Sequence, residues 1–464
     1  MKKKKIILIY PRTGFFDNLS GSMPYSLLTI AGALTKEYEF IIIDQRVDKN
    51  WKERIVENVN SNTIAFGISS MTGPQVKFGL EVSKFLKEKY KIPIIWGGIQ
   101  PTLYPKVTVN HPLIDYIVSG RDPMSFSKLL SEIQDLRYLE KKFDFNKVKF
   151  PFGLINIKKY SPFNIKKWKS TSILTSIGCP YRCSYCINSV INNKEIFQRN
   201  SETIFNDIKN LYLKGFDFFY FLDDSLFFNL ERLEKLLDLI IKSKIKIKWA
   251  AQGVCVSNFL KITDSLKNKI EKSGCHSLEF GIESFNKDIL KLINKAQTVK
   301  MNFDLIKKAK SWKITKKYNF MAGFPLQNKQ QIWNDTKKFL KILDFDKSAY
   351  VLLNIYMPYE GTKLFEMAKK YGYKKRKVLE SFGKLSLGEI EKRRRWMSRQ
   401  DQIWLRNLAF LIPFYNSSSK SKISKKEHLL FKLYQPIARL RLKLGFIKPL
   451  PEYYLARLIS KKAF

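Results

Sequence analysis

Twice along this chain of 464 residues, short apolar runs alternate with amphipathic stretches, and this repeated alternation most restricts the folds open to it. Over the first ~140 residues the candidate strands are Ile6–Tyr10, Phe40–Asp44, Thr63–Ser69, Pro93–Trp96 and Asp115–Val118. Leu27–Lys36 and Val76–Tyr90 carry the spacing of covering helices. That pattern predicts a doubly wound parallel sheet of the Rossmann-like kind. A lysine-rich connector with Pro151, Gly153 and Pro162 follows.

From Ile173 to about Pro358 the alternation resumes with strands expected at Ile173–Ile177, Asp217–Leu222, Ile245–Ala251, Ser277–Ile282, Tyr318–Ala322 and Ala349–Met357. Helices are expected at Glu202–Lys214, Leu230–Ser243, Asp288–Leu292, Met301–Lys310 and Gln331–Leu343. These units suit a partial (β/α)6 barrel, with chemistry at the carboxyl ends of its strands. The fold class is therefore α/β: a Rossmann-like domain over 1–140, a linker over 141–168, a barrel over 169–375 and a basic helical C-terminal region over 376–464.

Three cysteines, Cys179, Cys183 and Cys186, stand directly after the first expected barrel strand. Thiolates are the usual ligands of iron–sulfur clusters, and three of them leave one iron of a four-iron cluster open to a substrate or cofactor. Structural zinc wants four protein ligands. The chain has five cysteines and three histidines, with Cys255 and Cys275 far downstream. Ligand count therefore disfavours zinc. Three close cysteines cannot pair off as disulfides, and nothing marks the chain as secreted. Lysines open the chain, but only five apolar residues follow before Pro11, which reads as a solubilising tail on a buried strand rather than a signal peptide. No run approaches the roughly 18 apolar residues of a membrane span. An intracellular, reduced setting is expected, as a thiolate-bound cluster requires.

The formal net charge is +43, from 84 Lys+Arg against 41 Asp+Glu. Such a charge attracts nucleic acid, anionic lipid or acidic substrates. The lysines are spread over the length rather than gathered into a stripe with interleaved aromatics. That favours an anionic surface or substrate over nucleic acid.

At the ends of the first set of strands lie Ser69-Ser70-Met71-Thr72-Gly73, Gly97-Gly98-Ile99-Gln100-Pro101-Thr102 and Ser119-Gly120. Glycine there lets a bulky ligand approach the backbone. No G-x-G-x-x-G follows the first strand, and no G-x-x-x-x-G-K-[ST] occurs, so neither a dinucleotide nor a P-loop nucleotide is expected.

The run Cys179-Pro-Tyr-Arg-Cys183-Ser-Tyr185-Cys186 resembles the CxxxCxΦC loop of the radical S-adenosylmethionine (radical SAM) superfamily, Tyr185 being the aromatic. The resemblance implies a 4Fe–4S cluster on the three cysteines, with SAM chelated at the free iron and cleaved to a 5′-deoxyadenosyl radical. It also implies SAM contacts. Asp223 and Asp224, at the second strand's end, would face the SAM ammonium or, alternatively, cap a following helix. Gly281-Ile282-Glu283-Ser284 resembles a G-I-E-S segment whose glutamate lies near the SAM ribose and amino acid. Gly323-Phe324-Pro325 resembles the G-x-P turn against the adenine, although Leu326-Gln327-Asn328 replaces the usual Gly-Glu-Thr. Pro358-Tyr359-Glu360-Gly361-Thr362 resembles the P-x-P-G-T segment of cobalamin-type members.

The order of the N-terminal pieces resembles the cobalamin-binding domain that precedes many radical SAM barrels. It implies corrinoid contacts from Ser69, Thr72, Gly97, Gly98, Thr102 and Gly120. The D-x-H-x-x-G loop is absent, so no lower-ligand histidine is expected from it. A Rossmann-like domain that has lost its corrinoid is the alternative.

The family thus implies a cobalamin-dependent methyltransferase acting on an unactivated carbon of a lipid, porphyrin or natural product. Oxidative or ring-forming chemistry, as in anaerobic Mg-protoporphyrin ester cyclases, is one alternative, and a non-catalytic iron–sulfur RNA-binding or redox module is another. A flavodoxin or ferredoxin would serve as reductant. The expected place is the cytoplasm, with peripheral contact at the inner membrane surface left open. Cys255 and Cys275-His276 read as packing residues. Arg393-Arg394-Arg395 reads as a solvated helix face. The segments Leu405–Phe414 and Leu429–Ile447 either cover the barrel's open side, the preferred reading, or rest on an anionic membrane.

Overall fold

A computed structural model describes residues 3–14, 17, 21–134, 142–162, 168–191, 195–384, 393–416 and 425–453. Residues 1–2 of the lysine-rich start and 141 and 163–167 of the expected linker lie outside the described residues. The chain divides into two compact units. The first comprises Met1–Ser161, Val190–Asn193 and Lys374–Arg393, and the second Pro162–Ser189, Lys194–Tyr373 and Arg394–Phe464.

In the first unit, β1 (Lys4–Tyr10), β2 (Tyr38–Asp44), β3 (Thr63–Ser69), β4 (Ile94–Gly97) and β5 (Tyr116–Ile117) form an all-parallel sheet of order β2-β1-β3-β4-β5. Ile6, Ile7, Leu8 and Ile9 are all buried. A central parallel strand is covered on both faces, which is why this run is continuously apolar rather than alternating. β5 is shorter than the expected Asp115–Val118, yet Asp115 N donates to Ile94 O at 3.0 Å and Val118 N to Trp96 O at 2.8 Å. Helices Trp51–Asn58 and Pro123–Ile133 complete the connections. In the second of these, Asp122 accepts from Met124 N at 2.8 Å and Pro123 takes the first turn, a start signal written in the sequence. Sheet order reverses between β1 and β3, the position at which such sheets bind ligands.

In the second unit, β6 (Ser170–Ile173), β9 (Phe218–Phe221), β10 (Lys248–Val254), β11 (Cys275–Glu283), β12 (Thr315–Ala322) and β13 (Ala349–Ile355) form a parallel sheet in sequential order with β6 and β13 as its edges. One expectation is corrected. The strand expected at Ile173–Ile177 is two, because β7 (Ser176–Gly178) leaves the sheet and pairs antiparallel with β8 (Ile196–Gln198). The buried carboxylate of Asp223 causes the break. Its oxygens accept from Thr175 N at 3.3 Å, from Thr175 Oγ1 at 2.6 Å and from Ser176 Oγ.

The basic C-terminal region is corrected as well. Residues 374–384 pack with the first unit, where Phe382 meets the ring of Tyr104 with centroids 4.4 Å apart. Arg394 is not on a solvated face: it is buried, and its Nη2 donates to Tyr356 O at 3.2 Å. Leu405, Leu408 and Leu411 of helix Arg399–Leu411 are buried, and this helix packs on the edge strand β13. Among the described residues no helix is long and apolar enough to cross a membrane.

Candidate active site at the cysteine loop

The cysteine loop begins where β7 ends on Gly178, whose φ is +98°. A Cβ there would meet Glu195 O at 2.2 Å, so this position accepts glycine alone. Beyond it the loop is held by bonds from four separate elements. Tyr181 Oη donates to Asn258 Oδ1 at 2.9 Å. Asn294 Nδ2 donates to Arg182 O at 2.7 Å, and Ser184 N to Ile293 O at 2.8 Å. Leu364 N, in the first turn of the helix that Thr362 caps, donates to Ser184 O at 3.0 Å. Tyr185 Oη donates to Glu283 Oε1 at 3.1 Å.

Burial is the largest influence on all three thiols. It pushes Cys179 up to about 12 and Cys186 up to about 11, and it raises Cys183, where the nearby Lys295 charge works in the opposite direction. Cys183 and Cys186 also raise Cys179, and Cys183 raises Cys186, so the three stand close enough to interact as charges. Such desolvated thiols are poor free nucleophiles, and a cation is what draws them into the thiolate form. Among the described residues no three such donors already stand at metal-ligand spacing. The fit to a cluster rests instead on the donor chemistry and on this mutual coupling.

Glu283 closes β11 with a left-handed φ of +62° and is buried. A non-glycine residue held there is strained by order 1–3 kcal/mol, a feature that concentrates at functional sites. Its Oε1 takes Tyr185 Oη and, at 3.0 Å, Lys295 Nζ. Its Oε2 is buried and makes no hydrogen bond among the described residues. Burial works against the charge of Lys295, but Tyr185 and Glu283 beside it more than compensate, and its pKa is raised overall. Gly281 makes room for this pair: a Cβ would lie 2.7 Å from Glu283 Oε1 and 2.8 Å from Lys295 Nζ.

The two aspartates separate. Asp223 is fully buried and spends its oxygens on Thr175 and Ser176, facing away from any ligand role. Asp224 is half-buried, accepts from Gly178 N at 3.2 Å and acts as a charge on Cys186. Neither caps the following helix; Asn229 does, taking Arg232 N at 2.9 Å.

At the end of β12 the Gly323 turn is held by side chains. Gly323 N donates to Gln327 Oε1 at 2.8 Å, and Trp396 Nε1 donates to Gly323 O at 3.0 Å. Gln327, which departs from the family pattern, therefore serves the turn's own backbone, and Asn328 caps helix Lys329–Phe345.

Of the residues first read as packing, Cys275 is buried at the start of β11, and His276 lies against the rings of Trp168 and Phe218. Cys255 differs. It follows β10, its charge raises Cys179 and the charge of Cys183 raises it in turn, so it stands beside the cysteine loop. Sequence reasoning also missed Asn294 and Lys295. Only the left-handed φ of Asn294 (+49°), a conformation asparagine tolerates, hints at a special turn there.

In the first unit the corrinoid candidates fall into two groups. Thr102 and Gly98 are used by the fold: Thr102 Oγ1 donates to Gly98 O at 2.7 Å and accepts from Gly120 N at 2.9 Å, and a Cβ on Gly98 would meet Ser70 O at 2.8 Å. Ser69 Oγ meets Ser26 Oγ at 3.1 Å. Gly120 borders open space, and a Cβ on Gly97 would have only Val118 O near it, at 4.0 Å. Thr72 Oγ1 and both amide atoms of Gln100 are buried without a hydrogen bond among the described residues. Buried polar atoms in native proteins are paired with few exceptions, so orphans near these glycines fit a polar ligand at this rim.

Residues 173–339, from the last residue of β6 to within helix Lys329–Phe345, match the family model of the radical SAM superfamily. This is a radical SAM superfamily protein. An uncharacterized methyltransferase of Pyrococcus horikoshii is 27% identical over 395 residues, covering 79% of this chain and 84% of that protein. The bacteriochlorophyllide d C-12(1)-methyltransferase of Chlorobaculum tepidum is 23% identical, covering 79% of each. Among solved structures, the cobalamin-dependent S-adenosylmethionine radical enzyme OxsB superposes with a TM-score of 0.71 over 99% of this chain and 75% of its own, at 14% identity. The methyltransferase TsrM of Kitasatospora setae gives 0.64 over 80% and 76%, at 15% identity. These structural likenesses establish a shared fold. As a radical SAM enzyme the chain uses a 4Fe–4S cluster and SAM, and it needs a substrate and an electron donor.

Proposed function

We propose that this radical SAM enzyme is a cobalamin-dependent methyltransferase acting on an unactivated carbon of a lipid, porphyrin or natural-product substrate. The observation that carries this reading is the rim of the first sheet, where Thr72 Oγ1 and the Gln100 amide are orphaned near the open face of Gly120 and the loosely covered Gly97. Both named relatives are methyltransferases, and one acts on a bacteriochlorophyllide, which supports a tetrapyrrole-like acceptor. In functional terms residues 1–140 hold the corrinoid, 141–168 link, 169–375 hold cluster and SAM, and 376–464 support them.

When bound, these groups supply a primary carbon radical and a transferable methyl group. The chain supplies position and dryness. The sulfurs of Cys179, Cys183 and Cys186 ligate the cluster. Glu283 Oε2, free while Oε1 is engaged by Tyr185 and Lys295, accepts from the polar end of SAM. Asp224 takes the ammonium, while Asp223 acts behind it as a positioning residue through Thr175 and Ser176. Backbone at Gly281 and Gly323 lines the nucleoside. Ser69, Thr72, Gly97, Gly98, Thr102 and Gly120 shape the corrinoid rim. A flavodoxin or ferredoxin delivers the electron.

The test is anaerobic reconstitution with iron, sulfide and cobalamin, followed by dithionite and SAM. A corrinoid absorbance that survives gel filtration, with 5′-deoxyadenosine and S-adenosylhomocysteine among the products, is expected. An acceptor gaining the mass of one methylene marks methylation, whereas oxygen insertion or ring closure would sink this reading. No 5′-deoxyadenosine at all would reduce the chain to a non-catalytic cluster protein.

A further inference from the structure

The C-terminal helix Lys425–Leu444 has two faces of opposite character. Ala438 and Leu442 are buried and Tyr434 is half-buried on one side. On the other, Leu429, Leu433, Ile437, Leu440 and Leu444 are 59%, 65%, 50%, 59% and 72% exposed. At 3.6 residues per turn these five project within an arc of about 80°, so they form one continuous stripe rather than scattered singles. Exposed Lys432, Arg439 and Lys443 run along one flank of it. Between 425 and 444 the sequence holds six Lys or Arg against the single acid Glu427, on a chain of net charge +43.

Two occupants could cover such a stripe. A second copy would bring the same basic flank and the same net charge of +43 against it. The stripe is also shorter than the three to four heptads that a coiled-coil seam takes. An anionic bilayer matches both halves of the helix at once, taking leucines into the headgroup–acyl boundary and basic side chains onto lipid phosphates. We infer that helix Lys425–Leu444 docks this protein in the plane of an anionic lipid membrane, with Leu429, Leu433, Ile437, Leu440 and Leu444 inserted and Lys432, Arg439 and Lys443 on the phosphates. The inference rests on this helix alone and is independent of the methyl-transfer reading.

Flotation of the purified full-length protein with vesicles tests it. Wild type should float with phosphatidylcholine vesicles containing phosphatidylglycerol, not with phosphatidylcholine alone, and less in high salt. The double variant Leu433→Ser/Leu440→Ser should bind about tenfold or more weakly with an unchanged melting temperature, because both side chains are exposed. Lys432→Glu/Lys443→Glu should weaken binding to the anionic vesicles alone. If the serine variant fails to fold, Leu440→Trp decides: its emission, read as the difference from wild type, should shift to the blue when anionic vesicles are added. Wild type that stays out of the floated fraction overturns the proposal. So does equal flotation of the folded serine variant, an unmoved difference emission from Leu440→Trp, or a dimer in sedimentation velocity that the serine substitutions dissolve.

Discussion

The two sheets share a plan and differ in the chemistry at their carboxyl ends. Each is parallel, and each buries a tryptophan whose indole N–H reaches a serine in a covering helix or at its end: Trp96 to Ser83 at 3.0 Å in the first unit and Trp249 to Ser273 at 3.1 Å in the second. At the ends of β3, β4 and β5 in the first sheet stand glycines, hydroxyls and an amide, while the end of β2 holds the buried ion pair Asp44–Arg46 at 2.6 Å. At the rim of the second stand Glu283, Lys295, Asp224, Tyr185 and the thiols, with Glu283 and Cys183 buried and the others half-buried. The neutral stretch beyond β3, β4 and β5 is cheap to build and can enclose a large ligand by shape. A charged buried rim costs several kcal/mol per uncompensated ion, and it is held here by explicit pairing. The second site is therefore the one that substitution should damage most.

The largest effect is expected at the cluster ligands. Cys183→Ser should abolish 5′-deoxyadenosine formation and remove the charge-transfer absorbance of the reconstituted protein. Its melting temperature should hold, because the loop is fixed by residues other than its sulfurs. A large loss of stability in this variant would break the contrast drawn above.

Next come the ionic partners. Glu283→Gln leaves Lys295 buried beside a neutral amide and should cost about 3–5 kcal/mol by chemical denaturation. Combining it with Lys295→Met should recover a good part of that loss, and additive losses would show that the two do not act as a pair.

A smaller effect follows from Asp335, whose carboxylate accepts from Phe285 N behind Glu283 and whose pKa burial raises to about 6. A raised carboxyl contributes stability that is full below its unfolded value near 4 and is lost as pH climbs through about 6. Wild type should therefore lose up to about 3 kcal/mol relative to Asp335→Asn between pH 4 and 7, read from urea melts at each pH. A flat difference would remove this charge penalty from the second unit.

The mildest change belongs to the neutral rim. Thr72→Val removes an orphaned hydroxyl, so stability should stay level or rise by about 1 kcal/mol. Retained cobalamin should drop about tenfold, measured by absorbance after gel filtration. Unchanged cobalamin content would take Thr72 out of the corrinoid site.

Much of this architecture is legible in the chain. Period and composition predict both sheets, because strands buried on two faces must be apolar throughout and Ile6–Ile9 are so. The cysteine spacing announces the loop. The break between β6 and β7 is not legible, since it depends on Asp223, some 48 residues away, reaching back to Thr175. Nor is the division of labour between Asp223 and Asp224, which look alike in sequence and differ only in which neighbours fold beside them. Lys295 escapes for the same reason: its partner Glu283 lies on the far side of the short helix Lys287–Leu292, and a lone lysine in a chain with 84 Lys+Arg carries no signal. The buried Arg394 hides among its neighbours Arg393 and Arg395, and the outward leucines of the last helix read like core until something is seen not to cover them.

The backbone and side-chain ties on Arg182, Ser184 and Tyr185 are made entirely among amino acids. A polypeptide so fastened keeps its cradle when stripped of inorganic cargo. Oxygen damage to the iron should then be repairable on the folded enzyme, by simple refilling, without a journey back through synthesis or chaperones.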